Sequence, residues 1–441
     1  MDEISQKITG QVKISTKRQQ EIQSKIKNVS DFKKEIKAFL EKPITDLLEI
    51  ILTGATILGA SDIHIEPQEK EVKIRARIDG ILQDIVFFDY KIYNGLLSRI
   101  KLLSKIKLNI AKQPQDGSFT ILFPTANNFK EEIVEIRVST LPAEYGEAIV
   151  MRVLNPKSLI EIEGLGLRKD LLEIFKKETK QPNGMIIVTG PTGSGKTTTL
   201  YSLLKRIHQP EIKVITIEDP IEYRLEGISQ TQVNPSRGYN FANGLRAIVR
   251  QDPDVILVGE IRDLETAQIA LQSALTGHLV LTTLHTNDAS GVITRLQSLG
   301  EKPVNIAPAI NMAIAQRLVR KICQKCLEFQ TISSLFLEKI KKELNGISSL
   351  VQIPKLDSKL KIPLVKGCSD CNFTGYRGRI GIYEAFLVDE EIEKFILTSP
   401  SISDLKALAI KKGMVLMKQD GLIKVLEGIT TIEEIERATG E

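Results

Sequence analysis

Residues 190–197 read Gly-Pro-Thr-Gly-Ser-Gly-Lys-Thr. Glycines at these positions let successive backbone N–H groups turn inward onto phosphate oxygens. Lys196 can reach the β- and γ-phosphates, and the Thr197 hydroxyl can ligate Mg²⁺. The flanks agree. Met185–Val188 is a short apolar run that reads as a buried strand, and the chain from Lys196 onward reads as a helix whose N-terminus adds partial positive charge. Gly190, Pro191, Thr192, Gly193, Ser194, Gly195, Lys196 and Thr197 are therefore expected to hold a nucleoside triphosphate.

Carboxylates follow the loop. Val255-Ile-Leu-Val-Gly-Glu260 is an apolar strand ending in an acid. In a nucleotide-binding sheet such a carboxylate stands beside the loop, where it holds Mg²⁺ or polarises the attacking water. Taken alone, a strand that happens to end in Glu explains it equally well. Glu218, Asp219 and Glu222 cluster at the end of a second strand, where a solvated acidic turn is the blander explanation. His278 and His285 flank a fourth strand and are read as γ-phosphate sensors at one sheet edge. Cys323-Gln-Lys-Cys326 and Cys368-Ser-Asp-Cys371 use every cysteine in the chain. Two such pairs on separate segments suit a tetrahedral Zn²⁺ better than a redox centre, which needs one pair. The 41 residues between them must carry structure of their own.

These groups need elements to position them. The 441 residues are enough for two or three domains, and the net charge of +5 is too small to argue for nucleic acid. Residues 1–42 read as solvated helices or a partly disordered lead-in. An apolar pattern from Pro43 to about Ala60 reads as a helix; the longest apolar stretch, Ile50–Ala60, is too short to span a bilayer, and the first residues lack the apolar core of a signal peptide, so the protein is expected in the cytoplasm. Glu71–Leu82 alternates as a half-buried strand with Lys73, Arg75 and Arg77 outward. A helix over Lys91–Ile106 and strands over Ser118–Phe123, Ile133–Leu141 and Ala148–Leu154 complete a small α/β domain at 43–155, the first two of those strands joined by a loop containing Pro-Thr-Ala-Asn-Asn. A linker at 156–167 follows. Residues 168–320 alternate helix with apolar strands at Met185–Val188, Val214–Ile217, Val255–Val258 and Leu279–Leu281, the pattern of a parallel, doubly covered sheet. A four-cysteine module at 321–375 and a helical region at 376–441 end the chain.

The phosphate loop, Ile217-Glu-Asp-Pro-Ile-Glu-Tyr, Gln251-Asp-Pro-Asp-Val-Ile-Leu-Val-Gly-Glu-Ile-Arg-Asp and Leu275-Thr-Gly-His-Leu-Val-Leu-Thr-Thr-Leu-His-Thr-Asn-Asp resemble the Walker A, Asp box, Walker B and His box of the secretion ATPases. These are the hexameric motors of type II secretion, type IV pilus and competence systems. Ser61-Asp-Ile-His-Ile-Glu-Pro, Arg77-Ile-Asp-Gly, Pro114-Gln-Asp-Gly and Arg137-Val-Ser-Thr resemble the family's N-terminal domain. The resemblance implies a PAS-like α/β domain before a RecA-like P-loop core, a homo-hexamer, ATP and Mg²⁺ as ligands, and a place at the cytoplasmic face of the inner membrane. Membrane association would run through a platform protein of a pilus or secretion machine, with no nucleic acid. It also implies roles. Arg137 and Arg152 match arginines that reach from the N-terminal domain to the nucleotide, and Arg246 and Arg250 match a pair before the Walker B strand. Thr197 and Glu260 would serve Mg²⁺ and water, Glu222 and Glu218 would place the water, and Lys196 would neutralise phosphate charge. The four-cysteine segment occurs in assembly and secretion motors and not in retraction motors.

Two departures stand out. About 42 residues precede the first motif, where assembly and secretion motors usually carry a further docking domain, and Ser118 follows Pro-Gln-Asp-Gly where a basic residue is usual. Other classes are a nucleic-acid motor of a conjugation or DNA-uptake system, which DNA-stimulated turnover would reveal, and a non-hydrolysing nucleotide-binding scaffold, which the intact Lys196, Glu222 and Glu260 disfavour. The cysteine pattern predicts one Zn²⁺ per freshly purified chain, held by Cys323, Cys326, Cys368 and Cys371. Elemental analysis giving far less than one, or two disulfides in a reduced preparation, would contradict it.

Overall fold

In the computed structural model of the chain, residues 10–124, 131–156 and 159–440 are described. The start of the lead-in at 1–9, the Thr-Ala-Asn-Asn of the expected loop, and linker residues 157–158 lie outside them. The chain divides into two compact units. The first runs through residue 156 and includes Cys323–Cys326 and Lys366–Arg377; the second holds Leu159–Ile322, Leu327–Val365 and the chain from Gly378.

In the first unit, strands β1 (Gln11–Lys13), β2 (Ala60–Pro67), β3 (Val72–Ile78), β4 (Ile81–Phe88), β5 (Gln115–Pro124), β6 (Glu131–Ala143) and β7 (Gly146–Leu154) form one sheet in the order β1-β5-β6-β7-β2-β3-β4. Strand β3 alternates as its sequence dictates, with Val72, Ile74, Ala76 and Ile78 inward. The single strand expected over Glu71–Leu82 is instead two, broken at Asp79-Gly80, whose φ values of 50° and 83° make the tight hairpin turn that Asp-Gly favours. Of the lead-in, residues 16–39 form helices as read, but one stripe of these helices is buried. Helices Thr16–Lys25 and Val29–Phe39 are each N-capped by a side chain, Ser15 and Asn28, and bury Ile22, Val29, Phe32 and Ile36 in the same core as helix Ile44–Ile57. Their polar composition hid a narrow apolar stripe at helical spacing. Lys101 and Glu147 form a buried ion pair at 2.5 Å.

In the second unit, β8 (Gly184–Thr189), β9 (Val214–Glu218), β10 (Ser229–Gln232), β11 (Val255–Val258), β12 (Leu279–Leu284), β13 (Ile310–Ile322) and β16 (Tyr376–Leu387) form a sheet in the order β10-β9-β11-β12-β8-β13-β16. The pairings from β10 through β13 are parallel. Both faces are covered: Met185 and Ile187 of β8 enter one core with Phe241, Leu245 and Leu271, while Ile186 and Val188 enter another with Phe175, Leu200 and Leu204. Each such buried side chain contributes about 1.5–3 kcal/mol. Between the cysteine pairs, β14 (Leu327–Thr331) and β15 (Lys361–Val365) pair antiparallel around helix Ser334–Glu343.

The helical region expected after residue 376 begins with a strand. β16 takes the last place in the sheet, and four helices follow from Glu390 to Thr439. Its first half alternates exposed and partly buried side chains and carries two glycines, which weakens any strand signal in the sequence. The last helix is tied back through buried Glu434, which accepts from the Arg320 N–H at 2.9 Å and from Nε and Nη2 of Arg437 at 2.9 and 2.8 Å. Burial pushes this carboxyl up, but Arg437 and Arg320 outweigh it and hold it at about 2, below its ordinary 4.5. A depressed carboxylate stabilises the fold above its unfolded value, and that contribution is lost as pH falls through the folded one. Glu434→Gln is expected to cost about 1–3 kcal/mol at pH 7. Denaturant unfolding should show the wild-type advantage shrinking as pH is lowered from 4.5 towards 2.

Candidate active site

Parallel register brings several strand ends to one edge. Thr189 of β8 stands opposite Leu284 of β12, Thr282 opposite Val258 of β11, and Val258 opposite Ile217 of β9. The residues just past these ends are Gly190, His285, Gly259-Glu260 and Glu218-Asp219, so one edge gathers the phosphate loop, an imidazole and the carboxylates. Hydrogen bonds stitch the edge together. The Thr189 hydroxyl donates to Leu284 O at 3.1 Å and accepts from the Thr286 N–H at 2.7 Å, and the Thr283 hydroxyl donates to Gly259 O at 2.8 Å.

The loop is shaped for close backbone approach. Gly190 has φ of 145°, and a Cβ there would lie 2.6 Å from Gln316 O; Gly195 has φ of 90°, and its Cβ would lie 2.8 Å from Gln316 Nε2. Only glycine fits either place. Ser194 Oγ is buried with no hydrogen-bond partner among the described residues, and Lys196 Nζ donates to Gly190 O at 2.7 Å and Pro191 O at 3.2 Å. Burial lowers the Lys196 pKa, Glu260 opposes this, and Arg317 adds to it. A desolvated ammonium, an unpartnered hydroxyl and a glycine cradle at a helix start fit a phosphate group. Thr197 follows Lys196 in the first turn of helix Lys196–Ile207.

Glu260 is the hub of the edge. One carboxylate oxygen accepts from Arg262, and the other lies 3.3 Å from His285 Nε2. Arg262 Nη1 also lies 3.7 Å from Asp219. Arg262 is a further residue of the site, and its place two residues after Glu260 is the signal the sequence offers for it. Glu218 sits behind this group, accepting from Thr216 Oγ1 at 2.5 Å, from Tyr201, and from Gln230 at 3.2 Å. Burial raises its pKa against those hydrogen bonds, so it braces the edge from within. Glu222 lies four residues beyond β9, partly buried.

The two histidines do not share an edge. His285 follows β12 at the loop, whereas His278 precedes Leu279, which stands opposite Gly184 at the far end of β8. Six residues of strand separate them by about 20 Å. The expectation that both sense γ-phosphate is corrected: the two ends of one strand lie at opposite sheet edges, and His278 Nδ1 bonds Ser273 O at 3.0 Å there. Arg246 pairs with Glu265 and Asn243, and Arg250 is exposed at its helix end.

In the first unit, Arg137 and Arg152 stand directly opposite each other on β6 and β7. The register extends this into one row, Ser118–Arg137–Arg152–Asp62–Arg77, across β5, β6, β7, β2 and β3. Asp62 is the shared partner, 3.1 Å from Arg152 Nε and 3.5 Å from Arg77 Nε. Opposed like charges are unfavourable unless an anion joins them. Ser118, where the resemblance expects a base, faces Arg137.

The four cysteines also meet. Their Sγ atoms lie within 4.8 Å of one another, with Cys323–Cys368 at 3.9 Å and Cys326–Cys371 and Cys368–Cys371 at 3.8 Å. A tetrahedron with bonds of about 2.3 Å has edges of about 3.8 Å, which is the spacing of a Cys₄ zinc site. The N–H groups of Cys368 and Gly375 point at Cys371 Sγ at 3.1 and 3.2 Å, as suits a thiolate. The donor set fits Zn²⁺.

Residues 38–437 match the family model of the type II/IV secretion system protein. A type II secretion system protein E of Pectobacterium carotovorum is 44% identical over 402 residues, covering 91% of this chain and 76% of the relative. The type IV pilus assembly ATPase PilB of Thermus thermophilus is 43% identical over 399 residues, covering 89% of this chain and 42% of the relative. Among solved structures, the pilus retraction motor PilT with bound ADP is 27% identical with a TM-score of 0.56, covering 88% of this chain and 95% of that one. The ATPase DotB of Legionella pneumophila, at 22% identity and TM-score 0.63 over 89% of this chain and 95% of its own, shares the α/β ATPase fold. The loop geometry predicts that Gly190→Ala weakens ADP and ATP binding by tenfold or more, because the opposing atom is the fixed carbonyl of Gln316; titration with a fluorescent nucleotide checks it.

Proposed function

Because the chain belongs to the type II/IV secretion system protein family, we propose that it is the ATP-hydrolysing motor of a machine that assembles a pilus or pseudopilus or drives secretion. The observation that carries the reading is Glu260, held by Arg262 and His285 on the sheet edge where Lys196 and the glycine cradle lie. On this reading residues 43–155 are the PAS-like domain and 168–320 the RecA-like P-loop core, joined by the linker at 156–167. Residues 321–375 carry the zinc module and 376–441 the C-terminal region.

The backbone of Gly190–Thr197 and the Lys196 ammonium hold the β- and γ-phosphates. Thr197 and Glu260 are the residues that would hold Mg²⁺, which when bound neutralises phosphate charge and orders water. Glu260 polarises the attacking water, kept in orientation by His285 and Arg262, while Glu222 helps place it and Glu218 keeps β9 in position. Arg137 and Arg152, with Arg246 and Arg250, stabilise charge that develops on the γ-phosphate. The proposed stroke is a conformational change driven by the presence or loss of the γ-phosphate. The proposed assembly is a homo-hexamer at the cytoplasmic face of the inner membrane, recruited by a platform protein. Among the described residues no helix is long and apolar enough to cross a membrane. The four cysteines favour an assembly or secretion motor over a retraction motor.

The test is a coupled ATPase assay beside nucleotide binding. Glu260→Gln should keep Mg-ATP binding and lose about 10²-fold or more in turnover. Arg152→Ala should lose turnover and keep ADP binding, since ADP has no γ-phosphate. Wild-type turnover by Glu260→Gln would remove Glu260 from the mechanism.

A further inference from the structure

Arg317 belongs to none of the motifs that carry the nucleotide chemistry, yet the fold sets it in their midst. Strand β13 pairs with β8 up to Ala315 opposite Thr189, so its next two residues run alongside Gly190 where the phosphate loop begins. Gln316 is buried there. Its Oε1 accepts from the Thr199 hydroxyl at 2.6 Å, which fixes the first turn of the helix after the loop. Arg317 faces the other way. Its Nη1 donates to Gln316 O at 3.1 Å and its Nη2 donates to Asn287 O at 3.0 Å. The same Nη1 lies 3.2 Å from where a Cβ of Gly190 would be.

Asn287 comes two residues after His285, whose Nε2 faces Glu260 at 3.3 Å. Thr286 between them is tied to Thr189 by its N–H at 2.7 Å and its hydroxyl at 2.8 Å. The segment carrying His285 is therefore fixed to the end of β8 at one residue and to Arg317 at the next. The acidic groups acting on Arg317 are Glu384 and Asp288, both favouring its charged form against burial. Asp288 is itself held by the Gly291 N–H at 2.8 Å and lies 3.7 Å from Lys406.

We propose that Arg317 is a positioning residue that ties the end of β13, where it runs against Gly190 of the loop, to the segment after β12, and so sets the distance between Lys196 and the Glu260–His285 pair. It rests on the reading that Glu260 and His285 serve hydrolysis. An arginine is required because a planar guanidinium presents two nitrogens to two carbonyls in fixed directions, which a single ammonium does not reproduce. Displacing catalytic groups by a fraction of an ångström costs turnover more than ground-state binding, because alignment matters most in the transition state. The loop itself keeps its shape through Gln316–Thr199 and Thr189–Thr286 when Arg317 is changed.

The experiment compares Arg317→Lys and Arg317→Gln with wild type, using steady-state ATP turnover, affinity for a fluorescent ADP, and thermal unfolding. A double variant with His285→Ala completes the cycle. Both single variants should lose about tenfold or more in kcat and stay within about threefold of wild type in ADP affinity. The double variant should be no slower than His285→Ala alone, since residues acting through one another are not additive. Wild-type kcat in Arg317→Lys would overturn the bridging role and leave only charge. Multiplied losses in the double variant, or a His285→Ala that turns over normally while Arg317→Gln does not, would show that Arg317 does not act through His285. ADP affinity falling in step with kcat and with unfolding temperature would reduce it to a structural residue. Failure of the underlying reading is a separate result, wild-type turnover by Glu260→Gln.

Discussion

The second unit depends on one close approach, that of the Gln316 carbonyl to the place a side chain of Gly190 would occupy. A side chain at Gly190 would push β13 away from the end of β8. Because glycine is there, β13 continues past β8 and delivers Gln316 under the loop and Arg317 beside it. The Gln316 side chain then fills the space that the absent Cβ of Gly195 leaves and bonds Thr199. The loop is thus braced from beneath by one neighbouring strand, while its mouth stays lined with donors.

Around that brace the edge is electrostatically unbalanced in a useful direction. Burial disfavours the charged forms of both Lys196 and Arg317, and Arg317 adds to this at Lys196; Glu260 opposes it at Lys196, and Glu384 and Asp288 oppose it at Arg317. Such a site gains from a polyanion. The first unit also sets arginines side by side: Arg137 and Arg152 face each other, with Glu135 3.7 Å from Arg137 and Asp62 3.1 Å from Arg152. In the first unit the arginines stand on strand positions fixed by backbone register, whereas Lys196 opens a helix in the second.

How much of this could be read from the sequence followed from the range of each signal. The glycines, Lys196 and Thr197 of the loop, the short apolar strands and the cysteine pairs are local patterns, and each led to the right element. Asp79-Gly80 is an equally local hairpin signal. The helices at 16–39 are legible as helices, but their apolar stripe is narrow among many lysines and glutamines, and only packing shows it to be core. Strand β16 was missed because glycines and half-exposed positions dilute its pattern.

The sequence by itself determined which groups can do chemistry: a loop for phosphate, carboxylates at strand ends, thiolates for a metal, arginines on strand faces. These depend on residue type and on spacing over a few positions, which the covalent chain sets. Only the tertiary structure decided which of them meet. Parallel register put His285 beside Glu260 and sent His278 to the far edge, because both belong to one strand with two ends. It aligned Arg137, Arg152, Asp62 and Arg77 from four strands into one row, and it brought Arg317 against Gly190 across more than a hundred residues of chain. Contacts of that range are set by strand order and by how close two backbones can come, and no local pattern records either.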